Sequence, residues 1–109
     1  LRLAAASELD VQKVLDAISG GAAGSWQMTN LGPRIVKGDF APGFMVRLQQ
    51  KDLKLVLEAA NDVKLAVPAV SLAHQYFNIV ERLGCADEGT QALIKAYESQ
   101  AGCEARVSD

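Results

Sequence analysis

A chain of 109 residues has the length of one domain, and with half its residues apolar and only three prolines it is not a disordered segment. A net charge of −2, with acids and bases interspersed, leaves no basic face for a nucleic acid or an anionic membrane. No apolar run approaches the ~20 residues that span a bilayer, and no basic stretch leads into a small-residue cleavage site, so neither a membrane nor secretion is expected.

In chain order the periodicity predicts helices and no strand. Residues 1–6 read as the tail of a helix, as if cut from the middle of a longer one. Asp10 is placed to cap VQKVLDAIS, with Leu9 and Val14 as a hydrophobic staple and Gly20-Gly21 as the stop. Ser25 can cap a short helix through Asn30, which Gly32-Pro33 is expected to end. VKGDFAPGF is the longest irregular connection, with a turn at Pro42-Gly43. Pro68 then opens PAVSLAHQYFNIVERLG, in which Tyr76 and Phe77 are core and Gly84 is the stop. Asp87 or Thr90 is placed to cap TQALIKAYESQ, and the tail AGCEARVSD is expected to fray.

Residues 45–64 carry the feature that most needs explaining. Projected at about 100° per residue, Leu48, Leu53, Leu55, Val56, Leu57, Ala59, Ala60 and Val63 share one broad arc, with Arg47, Gln50, Lys54, Glu58 and Asn61 opposite. So wide an arc implies a helix covered on more than one side. Asp52 falls inside it, and Lys51 lies on its border. A carboxylate enclosed by apolar groups costs several kcal/mol unless paired, so Asp52 is either a structural ion-pair partner or a site carboxylate facing a cation or ligand.

The remaining polar and aromatic residues read mainly as structure. His74 projects to the polar face of its helix beside Asn78 and Glu81, as a solvated histidine. Trp26 reads as a packing anchor, and Arg34 as a surface or capping residue in preference to a substrate contact. Cys85 and Cys103 lie in no metal-binding or CxxC spacing and read as reduced thiols of a cytoplasmic protein; no metal is expected. No basic cluster flanks Cys85 in sequence, which argues against a nucleophile.

The order GAAGSW, GPRIV, GDFAPGFMVRLQQKDLKLVLEAA, VPAVSLAHQYF and GTQALIKAYE resembles the helical C-terminal domain of the β-hydroxyacid dehydrogenases. Those enzymes include 3-hydroxyisobutyrate dehydrogenase, tartronate semialdehyde reductase and glyoxylate/succinic semialdehyde reductase. The most specific part is carried by Pro42, Gly43, Phe44, Leu48, Lys51, Asp52, Leu53, Leu55 and Ala59. The resemblance implies an all-α fold, a compact bundle of five to six helices like the C-terminal domain of 6-phosphogluconate dehydrogenase-like enzymes, without its N-terminal Rossmann domain. It assigns residues 1–98 to that cofactor-binding and dimerisation domain and 99–109 to a frayed tail.

The resemblance further implies a cleft shared with a Rossmann domain, NAD or NADP as cofactor, and a small hydroxyacid as substrate. Lys51 would reach the cofactor near its nicotinamide, Phe44 would pack against the reacting groups, and Asp52 would orient a neighbouring cation. No G-x-G-x-x-G follows a strand here; GGAAG at 20–24 reads as a helix stop. The family's catalytic Lys and Asn would lie upstream of Leu1, so no residue of this chain takes those roles and no turnover by the chain alone is expected. Homo-oligomers are expected. The alternative is a non-enzymatic helical interaction or oligomerisation module.

Overall fold

The computed structural model describes residues 1–106, and among these there are helices and no strand. Helices α1 (Arg2–Ala6), α2 (Val11–Ser19), α3 (Trp26–Asn30) and α4 (Gly32–Val36) make the N-terminal half. Helices α5 (Val46–Asp62), α6 (Pro68–Arg82) and α7 (Leu93–Ala101), the last preceded by a 3₁₀ turn at Thr90–Ala92, make the C-terminal half. The all-α bundle expected from the sequence is therefore present.

Local chemistry accounts for most of the boundaries. Asp10 accepts a hydrogen bond from the Lys13 N–H at 3.1 Å, and Ser25 Oγ accepts from the Met28 N–H at 3.0 Å, so both N-caps act as expected. Leu9, however, is 55% exposed and staples little. Pro33 opens α4 and does not simply end α3, because a proline in the first turn forfeits only an N–H that the helix leaves unpaired. Gly32 lets the helices approach closely: a Cβ at this position would stand 2.7 Å from Leu15 Cδ1, so a larger residue must displace the Leu15 side chain. Neither Asp87 nor Thr90 caps α7 through its side chain; the 3₁₀ turn leads directly into the helix, and Asp87 instead pairs with Arg47 at 2.7 Å.

Among the described residues, most of the buried apolar side chains form two groups. Ala4, Val11, Leu15 and Val36 pack together beneath α1, α2 and α4. Val46, Phe77, Val80, Ala92 and Ala96 pack where α5, α6 and α7 meet, and Leu53, Tyr76 and Leu93 cover them. Tyr76 stacks on Tyr97 with ring centroids 4.6 Å apart. Between the two groups lies an apolar cavity of about 400 Å³, walled by Met28, Leu31 and Ile35 on one side and Leu53, Phe77 and Leu93 on the other.

The tail differs from expectation. Helix α7 continues to Ala101, and Gly102, at φ 67°, turns the chain back. Ala105 is fully buried, its N–H donating to Glu98 Oε1 at 2.9 Å, while Arg106 pairs with Glu98 Oε2 at 2.9 Å. The order of residues 99–106 thus comes from one nearly buried carboxylate with two local donors; residues 107–109 of the expected frayed tail lie outside the described part. Arg2 donates to the Ala101 carbonyl at 3.0 Å and ties α1 to the end of α7.

Candidate functional site

Helix α5 and the turn before it carry the three residues singled out by the sequence, so the geometry of this segment decides what they can do. The inward stripe of α5 is Val46, Gln50, Leu53, Leu57 and Ala60, all buried or half-buried at helical spacing against α6. The second apolar set, Leu48, Leu55, Val56, Ala59 and Val63, is open, with Leu55 at 55% and Val63 at 72% exposure. The arc is broad because it combines one covered stripe with one uncovered stripe.

Asp52 lies on the uncovered stripe, so it is not enclosed within this chain. Its side chain is 50% exposed and meets Lys51 Nζ at 3.1 Å. Successive residues on a helix diverge by about 100°, and an ion pair this exposed contributes at most ~1 kcal/mol. The pair therefore holds neither group rigidly. Phe44 is 43% exposed just before α5, and its carbonyl accepts from the Thr90 N–H at 3.0 Å.

The turn presenting Phe44 is held from three sides. Arg34 forms a fork on Asp39, Nε to Oδ2 at 2.8 Å and Nη2 to Oδ1 at 3.1 Å, and also donates to the Ala41 carbonyl at 2.6 Å. The Arg34 guanidinium, helped by the Ala41 N–H, keeps the Asp39 carboxyl below the usual carboxylate range, and Asp39 in turn raises Arg34. Gln91, only 4% exposed, donates to the carbonyls of Asp39 and Ala41 at 3.1 and 3.0 Å. The first N–H groups of α5, on Val46 and Arg47, find the carbonyls of Glu88 and Ala86, each at 2.9 Å.

Behind Lys51 and Asp52, Gln50 is 1% exposed and cross-links α5 to α6. Its Nε2 donates to Asn78 Oδ1 at 2.8 Å and its Oε1 meets His74 Nδ1 at 2.9 Å. With the amide nitrogen committed to Asn78, Oε1 accepts and Nδ1 is the protonated nitrogen of His74. His74 is thus a half-buried partner of Gln50 and not a solvated residue. Gln50 belongs to the inner face because it repeats Val46 at i+4.

Two further assignments change, those of Trp26 and Cys85. Trp26 is 70% exposed and anchors little packing within this chain. Arg34 keeps a structural role, in the turn. Cys85, without basic neighbours in sequence, has Lys95 Nζ at 3.6 Å from its sulfur, brought there by the packing of α7. Among the described residues no group of His, Cys, Asp and Glu is arranged to hold a metal, and no helix is long and apolar enough to cross a membrane.

Comparison with known proteins places these features in one family. Residues 1–97 match the family model described as the NAD-binding part of NADP-dependent 3-hydroxyisobutyrate dehydrogenase. An uncharacterized oxidoreductase of Synechocystis sp. is 52% identical over 84 residues, 77% of this chain and 28% of that protein. A probable mitochondrial 3-hydroxyisobutyrate dehydrogenase-like protein of Arabidopsis thaliana is 44% identical over 101 residues, 93% of this chain and 30% of that protein. The crystal structure of 3-hydroxyisobutyrate dehydrogenase from Salmonella typhimurium superposes with a TM-score of 0.82 at 30% identity, covering 86% of this chain and 33% of that one. The chain thus spans about a third of the length of the proteins it matches. With its bundle, its Phe44 turn and the Lys51-Asp52 helix all inside the matched region, the chain belongs to the NAD(P)-binding 3-hydroxyisobutyrate dehydrogenase family.

Proposed function

We propose that this chain is the helical C-terminal domain of an NAD(P)-dependent oxidoreductase that moves hydride reversibly between a small β-hydroxyacid, or its semialdehyde, and nicotinamide. The observation that carries the reading is the match of residues 1–97 to the family model, a stretch that includes Phe44, Lys51 and Asp52, each of them exposed on α5 or the turn before it. The chemistry of this set fits the cofactor: an accessible aromatic face suits a flat nicotinamide ring, and an ammonium suits amide or phosphate oxygens. When bound, the nicotinamide supplies or accepts the hydride.

The chain's own residues prepare that step. Lys51 binds the cofactor near the nicotinamide end. Phe44, on a turn clamped by Arg34 and Gln91, packs against the reacting groups and excludes water. Asp52 orients a cation across the cleft; its loose pairing with Lys51 leaves it free to do so. The family's lysine, the general acid of the reduction direction, belongs to a segment outside these 109 residues, so the chain alone holds part of a cleft.

Titration of the 109-residue chain with NADH and NADPH, followed by amide NMR, tests the assignment. The expected result is weak binding that perturbs Phe44, Lys51 and Asp52, and an affinity about tenfold lower in Lys51→Ala, the equivalent of 1.4 kcal/mol for one contact. Equal affinities for both cofactors in the two proteins would remove the site. Robust NAD(P)H-dependent turnover by the purified chain would refute the architecture. The exposed apolar residues Leu55, Val56 and Val63 toward the C-terminal end of α5 favour association into a homo-oligomer, and the two free thiols a reducing, cytoplasmic setting. Light scattering that finds a strict monomer at all concentrations would refute this association.

A further inference from the structure

Away from the open side of α5, a second cleft lies between the turn after α6, one side of α7 and the segment that folds back after it. Cys85, Lys95, Ser99 and Cys103 are among its walls. Both thiols are free and half-buried. Cys85 Sγ is 3.6 Å from Lys95 Nζ, and that ammonium is held in place by Glu88 Oε2 and Oε1 at 2.6 and 2.7 Å and by the Phe40 ring, whose centroid is 4.3 Å away. Cys103 is brought to the same cleft by the chain reversal at Gly102 and by the grip of Glu98 on Ala105 and Arg106. Structural cysteines ordinarily sit among apolar groups; here two thiols and one positioned ammonium share one surface depression.

We propose that Cys85 and Cys103 form a peroxide-reactive dithiol, with Cys85 as the attacking sulfur, Lys95 as the group that assists it, and Cys103 as the resolving thiol. In the first step the Cys85 thiolate attacks one oxygen of hydrogen peroxide. The S–O bond forms, the O–O bond breaks, and the departing hydroxide leaves beside the Lys95 ammonium, which donates a hydrogen bond to it. In the second step the Cys103 thiolate attacks the sulfenic sulfur, forming the disulfide and expelling hydroxide. The two thiol protons and the two hydroxides make two waters, so one peroxide is reduced for one disulfide formed. The product joins the turn after α6 to the segment after α7 within one chain.

The test is exposure of the 109-residue chain to stoichiometric hydrogen peroxide, with intact mass and peptide mapping. A monomer lighter by two hydrogens, with the peptides of Cys85 and Cys103 joined and released by dithiothreitol, is expected. In Cys103→Ser, Cys85 should accumulate as a sulfenic acid captured by a 1,3-dione, whereas in Cys85→Ser, Cys103 should stay reduced over the same interval. Lys95→Gln should slow the oxidation of Cys85 about tenfold, a modest factor because Glu88 offsets part of the charge, and Lys95→Arg should restore most of the rate. Separate oxidation of the two thiols without a link, a link only between chains, or equal rates in wild type and a helical Lys95→Gln would each overturn the proposal. Should Lys95→Gln fail to fold, the linkage and the serine variants decide it alone.

Discussion

Replacing Gln50 with Ala probes the polar cross-link behind Lys51 and Asp52. The side chain is 1% exposed and its two short hydrogen bonds, to Asn78 at 2.8 Å and His74 at 2.9 Å, are lost together. Each such bond contributes roughly 1 kcal/mol net. Removing the amide and one methylene from a packed site adds about 1 kcal/mol for the space left behind. The sum is a loss of about 3 kcal/mol. With a urea dependence near ~1.5 kcal/mol per molar, the midpoint of unfolding followed by circular dichroism should fall by about 2 M. Gln50→Met, which keeps the volume, should recover only the packing share, and a double-mutant cycle with His74→Ala should show coupling of about 1 kcal/mol. A loss below ~0.5 kcal/mol in Gln50→Ala would refute the argument that this amide joins α5 to α6.

Two other outcomes follow from local geometry. Because Arg34 depresses the folded-state Asp39 carboxyl, its contribution is present above the ordinary value of 3.8 and is lost as the pH falls through the lower folded value, so Asp39→Asn should flatten the acid side of a thermal-midpoint profile; an unchanged slope below about pH 4 would sink this. Gly32→Ala should destabilise by roughly 1–3 kcal/mol, since a Cβ there would stand 2.7 Å from Leu15 Cδ1, and Leu15→Ala in the same chain should relieve part of that penalty in chemical denaturation.

Much of this fold could be read from residue order because its helix boundaries rest on local chemistry: Asp10 and Ser25 are competent caps wherever they precede a helical pattern. The candidate site was legible for a different reason, the family pattern around Phe44, Lys51 and Asp52. What escaped the sequence depends on distance in the chain. Gln91 reaches Asp39 and Ala41, and Lys95 reaches Cys85, only through the packing of α7, and no spacing announces either. Gln50 was detectable in principle, since Val46, Gln50, Leu53, Leu57 and Ala60 keep a helical repeat; hydropathy alone hid it among the polar residues. Asp52 is half-exposed and not enclosed, because an arc drawn from residue type does not distinguish a stripe that is covered from one that is bare.

The separation of the buried residues into two clusters with a void between them bears on how the molecule yields under stress. The side chains under α1, α2 and α4 support one another, and those of α5, α6 and α7 do likewise; the two sets meet beside the gap where α1 touches α7 and α4 touches the 3₁₀ turn. Opening α1 and α2 therefore leaves the second cluster's own contacts in place, whereas parting α5 from α6 dismantles it. Lys51 and Asp52 ride on that second cluster, while Phe44 depends on both, since Arg34 of α4 holds its turn.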